Sequence, residues 1–338
     1  MYAFVNKILL FPYYLVLAIR NRWFDKGILH SSSFDIPIIS IGNITVGGTG
    51  KTPHTEMFVK EYLKKGKVGV ISLGYGRKGR GLKIVDEYDK ASTVGDEPLQ
   101  IKRKFPQATV IVSKNRCAAV KKMMELPQEK RPDVIILDDG FQYRKLKPSK
   151  SVLLIPYNRP VFKDFLLPFG RLRDIPSQIK RADTVIFTKC PSYLNEWDRE
   201  KIIEANRVGR HHKTSFTTIE YCQPLPVFSD FGNNRFIYSQ EAILITGIAD
   251  NTQIKMHVLS IYREAHFLSY PDHHKFTKSD VRQIVSLAEA HPRAVLLTTE
   301  KDAQRFVFET TIPKVIRERL FYIPIETAFL EGVNEDIF

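Results

Sequence analysis

Cysteine is scarce here, with three residues, Cys117, Cys190 and Cys222, in a chain of 338. Their spacing is too wide for a zinc motif and their odd number makes no disulfide framework. This points to a reducing compartment and argues against a structural metal. Long hydrophobic runs are missing as well. The longest N-terminal one, Ile8 to Ile19, lies between Lys7 and the pair Arg20 and Arg22. It falls short of the roughly 20 residues that span a bilayer. No small-x-small cleavage site follows it, which argues against a signal peptide. Two readings stay open: a buried first helix, and an interfacial anchor with basic residues at lipid headgroups.

Acidic residues are in deficit, 37 against 51 basic, for a formal charge of +14. Such a balance calls for an anionic partner: nucleic acid, a phosphorylated substrate or an acidic membrane surface. No basic run interleaved with aromatics and no recognisable binding module is present, so nucleic acid is set aside. The length favours two domains over one.

What the sequence does contain is a series of short apolar runs, rich in β-branched residues and each closed by a turn, glycine or acid. They are Ile36 to Ile44, Val68 to Leu73, Thr109 to Val112, Val134 to Leu137, Val152 to Ile155 and Thr184 to Phe187. Buried parallel strands look like this when helices cover both faces. Helical stretches intervene, for example Glu56 to Lys65 with Phe58, Val59, Tyr62 and Leu63 on one side. A doubly wound, mostly parallel α/β domain follows. Beyond about Lys213 the pattern changes, and Ser215 to Ile219 with Arg235 to Tyr238 reads as a pair of strands forming a linker. A smaller α/β unit comes next, with strands at Ala242 to Thr246, near His266 to Tyr270, and at Ala294 to Thr298, and a helix from about Lys278 to Ala290. The expected division is 1–30, 31–213, 214–240 and 241–338.

The strongest chemical signal is Thr45-Val46-Gly47-Gly48-Thr49-Gly50-Lys51-Thr52, between a buried strand and a helix. In a P-loop the glycines turn backbone N–H groups toward phosphate oxygens and the helix start adds its dipole. Lys51 would bridge the terminal phosphates and Thr52 would offer a hydroxyl to Mg²⁺. Pro53 fits the first helical turn, where its missing N–H costs nothing. Thr45 stands where the usual pattern has glycine. A second strand, from Asp133 to Leu137, ends in Asp138-Asp139-Gly140. Such an acid beside a phosphate loop holds Mg²⁺ directly or through water. Where guanine-specific relatives read their base with an acidic residue, this chain has Thr188-Lys189-Cys190-Pro191, which leaves ATP as the expected nucleotide.

The phosphate loop is followed in order by Ser72-Leu73-Gly74-Tyr75-Gly76-Arg77, Val94-Gly95-Asp96-Glu97-Pro98, Asn115-Arg116 and Leu137 to Gln142. Then come Leu166 to Asp174, Thr246-Gly247-Ile248-Ala249, Asp272-His273-His274 and Thr299-Glu300-Lys301-Asp302-Ala303. This series resembles the tetraacyldisaccharide 4'-kinases over nearly the whole chain. It departs from their pattern at Leu73 (usually arginine), within the Leu-Pro segment at Phe169 and Arg171, and at Asp174 (usually glutamate).

The resemblance implies transfer of the γ-phosphoryl group of ATP to the 4'-hydroxyl of a tetraacylated glucosamine disaccharide 1-phosphate, a step of lipid A synthesis. It implies Asp96 as proton acceptor with His273 as its partner across a cleft between the domains, so that catalysis depends on closure. Arg116 and Arg173 suit phosphate contacts, Tyr75 lines the cleft, and Asp174 joins Asp138 and Asp139 at the metal. The N-terminal segment would hold the active site at the cytoplasmic face of an anionic inner membrane. The competing expectation is a P-loop ATPase or GTPase switch acting on a protein partner, which needs no acceptor base.

Overall fold

The computed structural model describes residues 2–272, 274–306, 312–330 and 337–338. A long helix, α1 (Tyr2–Asp25), precedes β1 (Ile38–Gly42), α2 (Lys51–Leu63), β2 (Val68–Ser72), β3 (Lys83–Ile84), α3 (Ala91–Val94) and α4 (Asp96–Lys104). Next are β4 (Thr109–Val112), α5 (Arg116–Met124), β5 (Val134–Leu137), β6 (Lys150–Pro156), β7 (Thr184–Thr188), α6 (Glu196–Ala205) and β8 (Lys213–Tyr221). The smaller unit contributes β9 (Leu225–Pro226), β10 (Glu241–Thr246), α7 (Thr252–Ile261), β11 (Glu264–Ser269) and α8 (Lys278–Ala290). It continues with β12 (Val295–Thr299), α9 (Glu300–Phe306), α10 (Lys314–Arg319) and β13 (Leu320–Ile323), and β14 (Ile325–Phe329) follows.

The larger sheet runs β14-β8-β7-β6-β1-β5-β2-β4-β3 and the smaller one β11-β10-β12-β13-β9. The larger is parallel except at its ends, where β14 and β3 run antiparallel to their neighbours. Successive side chains of a strand face opposite sides of the sheet. Ile39 and Ile41 therefore pack with Phe58 and Val59 of α2, while Ile38 packs with Ala119, Val120 and Met123 of α5. Burying each such aliphatic side chain contributes about 1.5–3 kcal/mol. With both faces covered, the strands need unbroken apolar runs. That is why β1, β2, β4, β5, β6 and β7 coincide closely with the runs read from the sequence.

From β1 the chain crosses to β2 on one side, and after β5 it crosses to β6 on the other. That reversal puts a crevice at the carboxyl ends of β1 and β5, where ligands bind in open α/β sheets. The connection to the smaller unit differs from the expected pair of strands. Ser215 to Ile219 lies in β8, but Asn234–Tyr238 is a 3-10 turn. β8 lies between β7 and β14, and β14 comes after the smaller sheet, so the chain returns to the larger sheet after building the smaller one.

Candidate active site

The phosphate loop follows β1, and its backbone is braced by neighbours. Val46 N–H donates to the Arg171 carbonyl at 2.7 Å, and the Thr188 hydroxyl donates to the Thr49 carbonyl at 2.9 Å. The Asn43 amide donates to the Thr49 hydroxyl at 2.6 Å. Positive φ falls at Gly47 (98°) and Gly50 (84°), where glycine is free to adopt it. Thr45 needs no such freedom: it bridges antiparallel to Leu172, in extended backbone that any residue adopts. Its departure from the usual glycine therefore leaves the loop intact. α2 starts at Lys51 with no side chain capping its first turn, which leaves that end to an anion.

Buried inside the same turn, His54 stands 2.7 Å from the Gly50 carbonyl through Nδ1 and 2.9 Å from Thr217 Oγ1 through Nε2. Burial lowers its pKa to about 4, with the Gly50 carbonyl opposing. At neutral pH the ring is uncharged, so Nδ1–H donates to Gly50.

At the end of β5 two adjacent carboxylates behave oppositely. Asp138 accepts from Ser72 Oγ at 2.9 Å and Thr55 Oγ1 at 3.2 Å. Burial, then the charges of Glu97 and Asp139, push its pKa up to about 6. Burial also works to raise Asp139, but Arg173, Lys51 and Arg116 outweigh it and hold that carboxyl below its ordinary range. Arg173 binds Asp139 with Nη2 at 2.9 Å and Nη1 at 3.1 Å, and Lys51 Nζ stands 3.9 Å away. Asp139 has a left-handed φ of 49°. That is uncommon for a residue with a side chain, although Asp tolerates it better than most. Arg116, buried and 5.0 Å over the Tyr143 ring, fixes this turn by donating to the Asp138 and Asp139 carbonyls at 3.3 and 2.8 Å.

Two acids beside the phosphate loop, one ionised by its cations and one desolvated and held by hydroxyls, fit the oxygen donors that Mg²⁺ prefers. The uncapped helix start and its lysine fit a polyphosphate.

Asp174 is placed elsewhere. Its Oδ1 accepts from the Asn21 side chain of α1 and from Ile175 N–H, both at 2.8 Å, and Arg181 lies 3.9 Å from Oδ2. This carboxylate anchors α1 to the sheet and does not join Asp138 and Asp139. Tyr75 is exposed, in the turn after β2.

Asp96 opens α4 and binds Arg305 of the smaller unit, whose Nη2 and Nε donate to Oδ2 at 2.6 and 3.1 Å. His273, the partner expected for Asp96, lies outside the described residues. Arg305 also donates to Asp302 Oδ1 at 2.7 Å and to the His274 carbonyl at 3.1 Å. Asp302 is fully buried and accepts from Gly247 N–H at 2.8 Å and Thr299 Oγ1 at 2.7 Å. The Thr246-Gly247 and Thr299 to Asp302 motifs are thus parts of one mount for Arg305. Beside it Lys301 reaches Glu97 at 3.4 Å and Asp272 at 3.6 Å, and Lys104 joins Glu56 and Glu300 at 2.7 and 3.4 Å.

Several groups at this site went unnoticed in the sequence. A side-chain carbon at Gly48 would lie 3.6 Å from Lys189 Nζ, and one at Gly47 would lie 3.6 Å from Arg159 Nη1, so two cations flank the phosphate loop. Burial lowers the Lys189 pKa, opposed by Asp250, which also sits 3.9 Å from Arg159. Lys189 has φ 56°, a left-handed turn at the end of β7 that matches Asp139 at the end of β5. The basic residue after Thr188 was the available signal. An acidic base reader is absent there, and a lysine stands beside the phosphate loop in its place.

A switch-point crevice, a glycine loop opening on a helix with its lysine, and a strand-end acid pair define a P-loop α/β protein built for phosphoryl chemistry. Residues 4–337 match the family model for LpxK, tetraacyldisaccharide-1-P 4'-kinase. A tetraacyldisaccharide 4'-kinase of Porphyromonas gingivalis is 40% identical over 318 residues, 92% of this chain and 88% of its own. One of Flavobacterium psychrophilum is 37% identical over 329 residues, 96% of this chain and 92% of its own. The crystal structure of LpxK from Aquifex aeolicus in complex with ATP superposes with a TM-score of 0.73. It is 28% identical, and the match covers 98% of this chain and 96% of that one. The chain belongs to the tetraacyldisaccharide 4'-kinase family and is a kinase of lipid A synthesis. The switch-like ATPase or GTPase is not favoured.

Proposed function

We propose that phosphoryl transfer takes place at the carboxyl rim of the larger sheet, with the acceptor sugar held between that rim and the smaller unit. The observation that carries this reading is the convergence of Lys51 and Arg173 on Asp139, beside the buried Asp138, with Asp96 facing Arg305 from the other unit. The bond between the 4'-oxygen and Pγ forms as the bond from Pγ to the β,γ-bridging oxygen breaks, and ADP departs. Asp96 accepts the hydroxyl proton and His273 carries it onward. Lys51, with Lys189 and Arg159 flanking the loop, meets the charge spread over the phosphate oxygens. Mg²⁺ held by Thr52, Asp138 and Asp139 supplies further neutralisation of that charge when bound. Arg173 keeps Asp139 ionised and pointed at Lys51, Arg116 shapes the turn beneath it, and Tyr75 offers the sugar an exposed ring.

The same reading places the chain on an anionic membrane surface. Among the described residues no helix is long and apolar enough to cross a membrane. α1 buries Leu10 and Leu17 against the sheet, yet leaves Phe11, Val16, Ile19 and Trp23 exposed near Arg20 and Arg22. An apolar face edged by arginines suits the headgroup boundary, where the lipid-linked disaccharide phosphate resides. Flotation with anionic vesicles should weaken in the Phe11→Asp, Val16→Asp double variant. Equal flotation of both proteins would remove the membrane role from α1.

Transfer of phosphate from ATP to a defined tetraacyl disaccharide 1-phosphate tests the chemical assignment. Asp96→Ala and His273→Ala should each lower kcat strongly, and the double variant should be little worse than the more severe single one. Independent, multiplying losses would separate the two residues.

A further inference from the structure

We propose that Glu241, Glu264, His266 and His291 form a binding site for one divalent transition-metal ion of the zinc class, at the edge of the smaller sheet opposite its Gly247 end. One ligand atom from each of the four lies within 4.8 Å of all the others. Glu241 and Glu264 open β10 and β11 and are direct cross-strand partners. His266 stands two residues beyond Glu264, on the same face of its strand. His291 caps the carboxyl end of α8.

Two observations point to an ion. Like charges directly opposite each other in a sheet destabilise it unless something positive intervenes, and Glu241 faces Glu264 in that way. His266 Nε2 lies 3.5 Å from Glu241 Oε1 and 3.3 Å from Glu264 Oε1. Yet that nitrogen is enclosed and makes no hydrogen bond to either. A tetrahedral ion with bonds of roughly 2.0–2.2 Å holds its ligand atoms about 3.3–3.6 Å apart, so these two spacings match edges of such a tetrahedron. His291 Nδ1 hydrogen-bonds the same Glu241 oxygen, and its ring lies 3.9 Å from that of His266, so an ion entering the site takes the place of that bond and moves the two atoms apart.

The turn carrying His291 is rigid. Arg319 donates to the carbonyls of Ala288 at 2.8 Å, His291 at 2.6 Å and Ala294 through Nε at 2.9 Å. Two imidazoles with two carboxylates suit zinc, nickel, cobalt or copper better than magnesium or calcium. Four protein ligands leave no open position, which marks a structural clip and not a reaction centre. The expectation against a structural metal rested on cysteine alone, and this set contains none. Glu264 is the most exposed of the four and closes the site from outside.

The test uses the tag-free full chain, stripped with chelator and titrated with Zn²⁺ by calorimetry and with Co²⁺ by visible absorption. The expected result is one ion per chain at micromolar affinity or tighter, a tetrahedral cobalt spectrum, no competition from Mg²⁺, and a melting temperature raised by zinc. The His266→Gln, His291→Gln double variant should lose affinity by at least about 100-fold and lose the cobalt spectrum. Should that variant not fold, Glu264→Gln, at an exposed position, should weaken binding about tenfold and shift the spectrum. The absence of a cobalt spectrum in the wild type would overturn the proposal and leave an ion-paired His–Glu cluster. Binding untouched by the substitutions would overturn it too, assigning the ion to other histidines or cysteines.

Discussion

The carboxyl rim of the larger sheet and the seam between α4 and α9 both hold charged groups in place, by opposite means. At the rim the holders belong to one unit: Ser72 and Thr55 hold Asp138, Arg116 fixes the backbone of Asp139, and Arg173 fixes its side chain. Their positions are set by a core with no freedom to slide. At the seam each tie crosses between units with separate cores: Asp96 to Arg305, Glu97 to Lys301, Lys104 to Glu300. The Lys301 pair is partly exposed and contributes little net stability, whereas Arg305 and Asp96 are largely buried, so removing either leaves an uncompensated charge. The difference teaches that charge stabilisation is built into one unit, while the proposed proton acceptor sits at the seam between two separate cores.

Substitution at the rim should therefore remove chemistry without loosening the fold. Lys51→Ala should cut phosphoryl transfer by about 100- to 1,000-fold. Its melting temperature should stay close to wild type. Retention of a tenth of wild-type turnover would contradict the phosphate-loop role. Asp138→Asn should lower turnover by about 100-fold and raise stability at the same time. The wild-type carboxyl is pushed up to about 6 by burial, then by Glu97 and Asp139, so the folded state disfavours its ionised form. That penalty is absent below the unfolded pKa of 3.8 and complete above 6. Its size is up to about 3 kcal/mol at pH 7. Denaturant unfolding without Mg²⁺ or ATP should show the variant more stable at pH 7 and the gap closing toward pH 4. A variant less stable at both pH values would refute the strain assigned to Asp138.

How much of this was legible in the sequence depended on the kind of signal. Strands buried on both faces need continuous apolar residues, and β4 and β5 begin and end where those runs do. Asn234–Tyr238 has strand-like aromatic and β-branched content, yet the Asn233 side chain accepts from Arg235 N–H at 3.3 Å and turns the chain instead. Asp174 misled for a geometric reason. The segment after the Leu-Pro turn is extended beside Thr45, so neighbours point to opposite sides: Arg173 toward Asp139, Asp174 toward α1. Adjacency to a site arginine in sequence carries no information about side. Arg305 was invisible because its partner lies 209 residues away and nothing local marks the pairing.

At the seam the expected loss is smaller. Arg305→Lys keeps the charge but loses the fork that spans Asp96, Asp302 and the His274 carbonyl. Turnover should fall about tenfold with the apparent ATP affinity unchanged, because the fork acts on the acceptor side. A drop confined to ATP affinity would move Arg305 to the nucleotide side of the seam.

The smallest effect on activity is expected at His54, which belongs to the rim but carries no charge at neutral pH. Burial lowers its pKa from 6.5 to about 4, so the unfolded chain binds a proton in this interval that the folded chain refuses. The contribution of His54 is therefore unchanged above the unfolded pKa, declines as pH falls through 6.5, and is fully lost below about 4. The loss is on the order of 3 kcal/mol. Total stability will not display this directly, because buried acids, Asp138 and Glu56 among them, run the other way. Asp138 is raised to about 6, and Glu56 is raised to about 7 by burial, then by Glu300, so both favour the fold more as pH drops. The difference between wild type and His54→Gln isolates the histidine, since the acids are common to both. At pH 7 the variant should be less stable by a fixed amount, having lost the bond to Gly50 and the contact with Thr217. Below pH 6 the curves should converge, and near pH 4 the variant should match or exceed wild type. A gap independent of pH would mean that folding leaves the His54 pKa unchanged, in conflict with its enclosure between Gly50 and Thr217, and a gap that widened as pH fell would mean that the ring is charged in the fold.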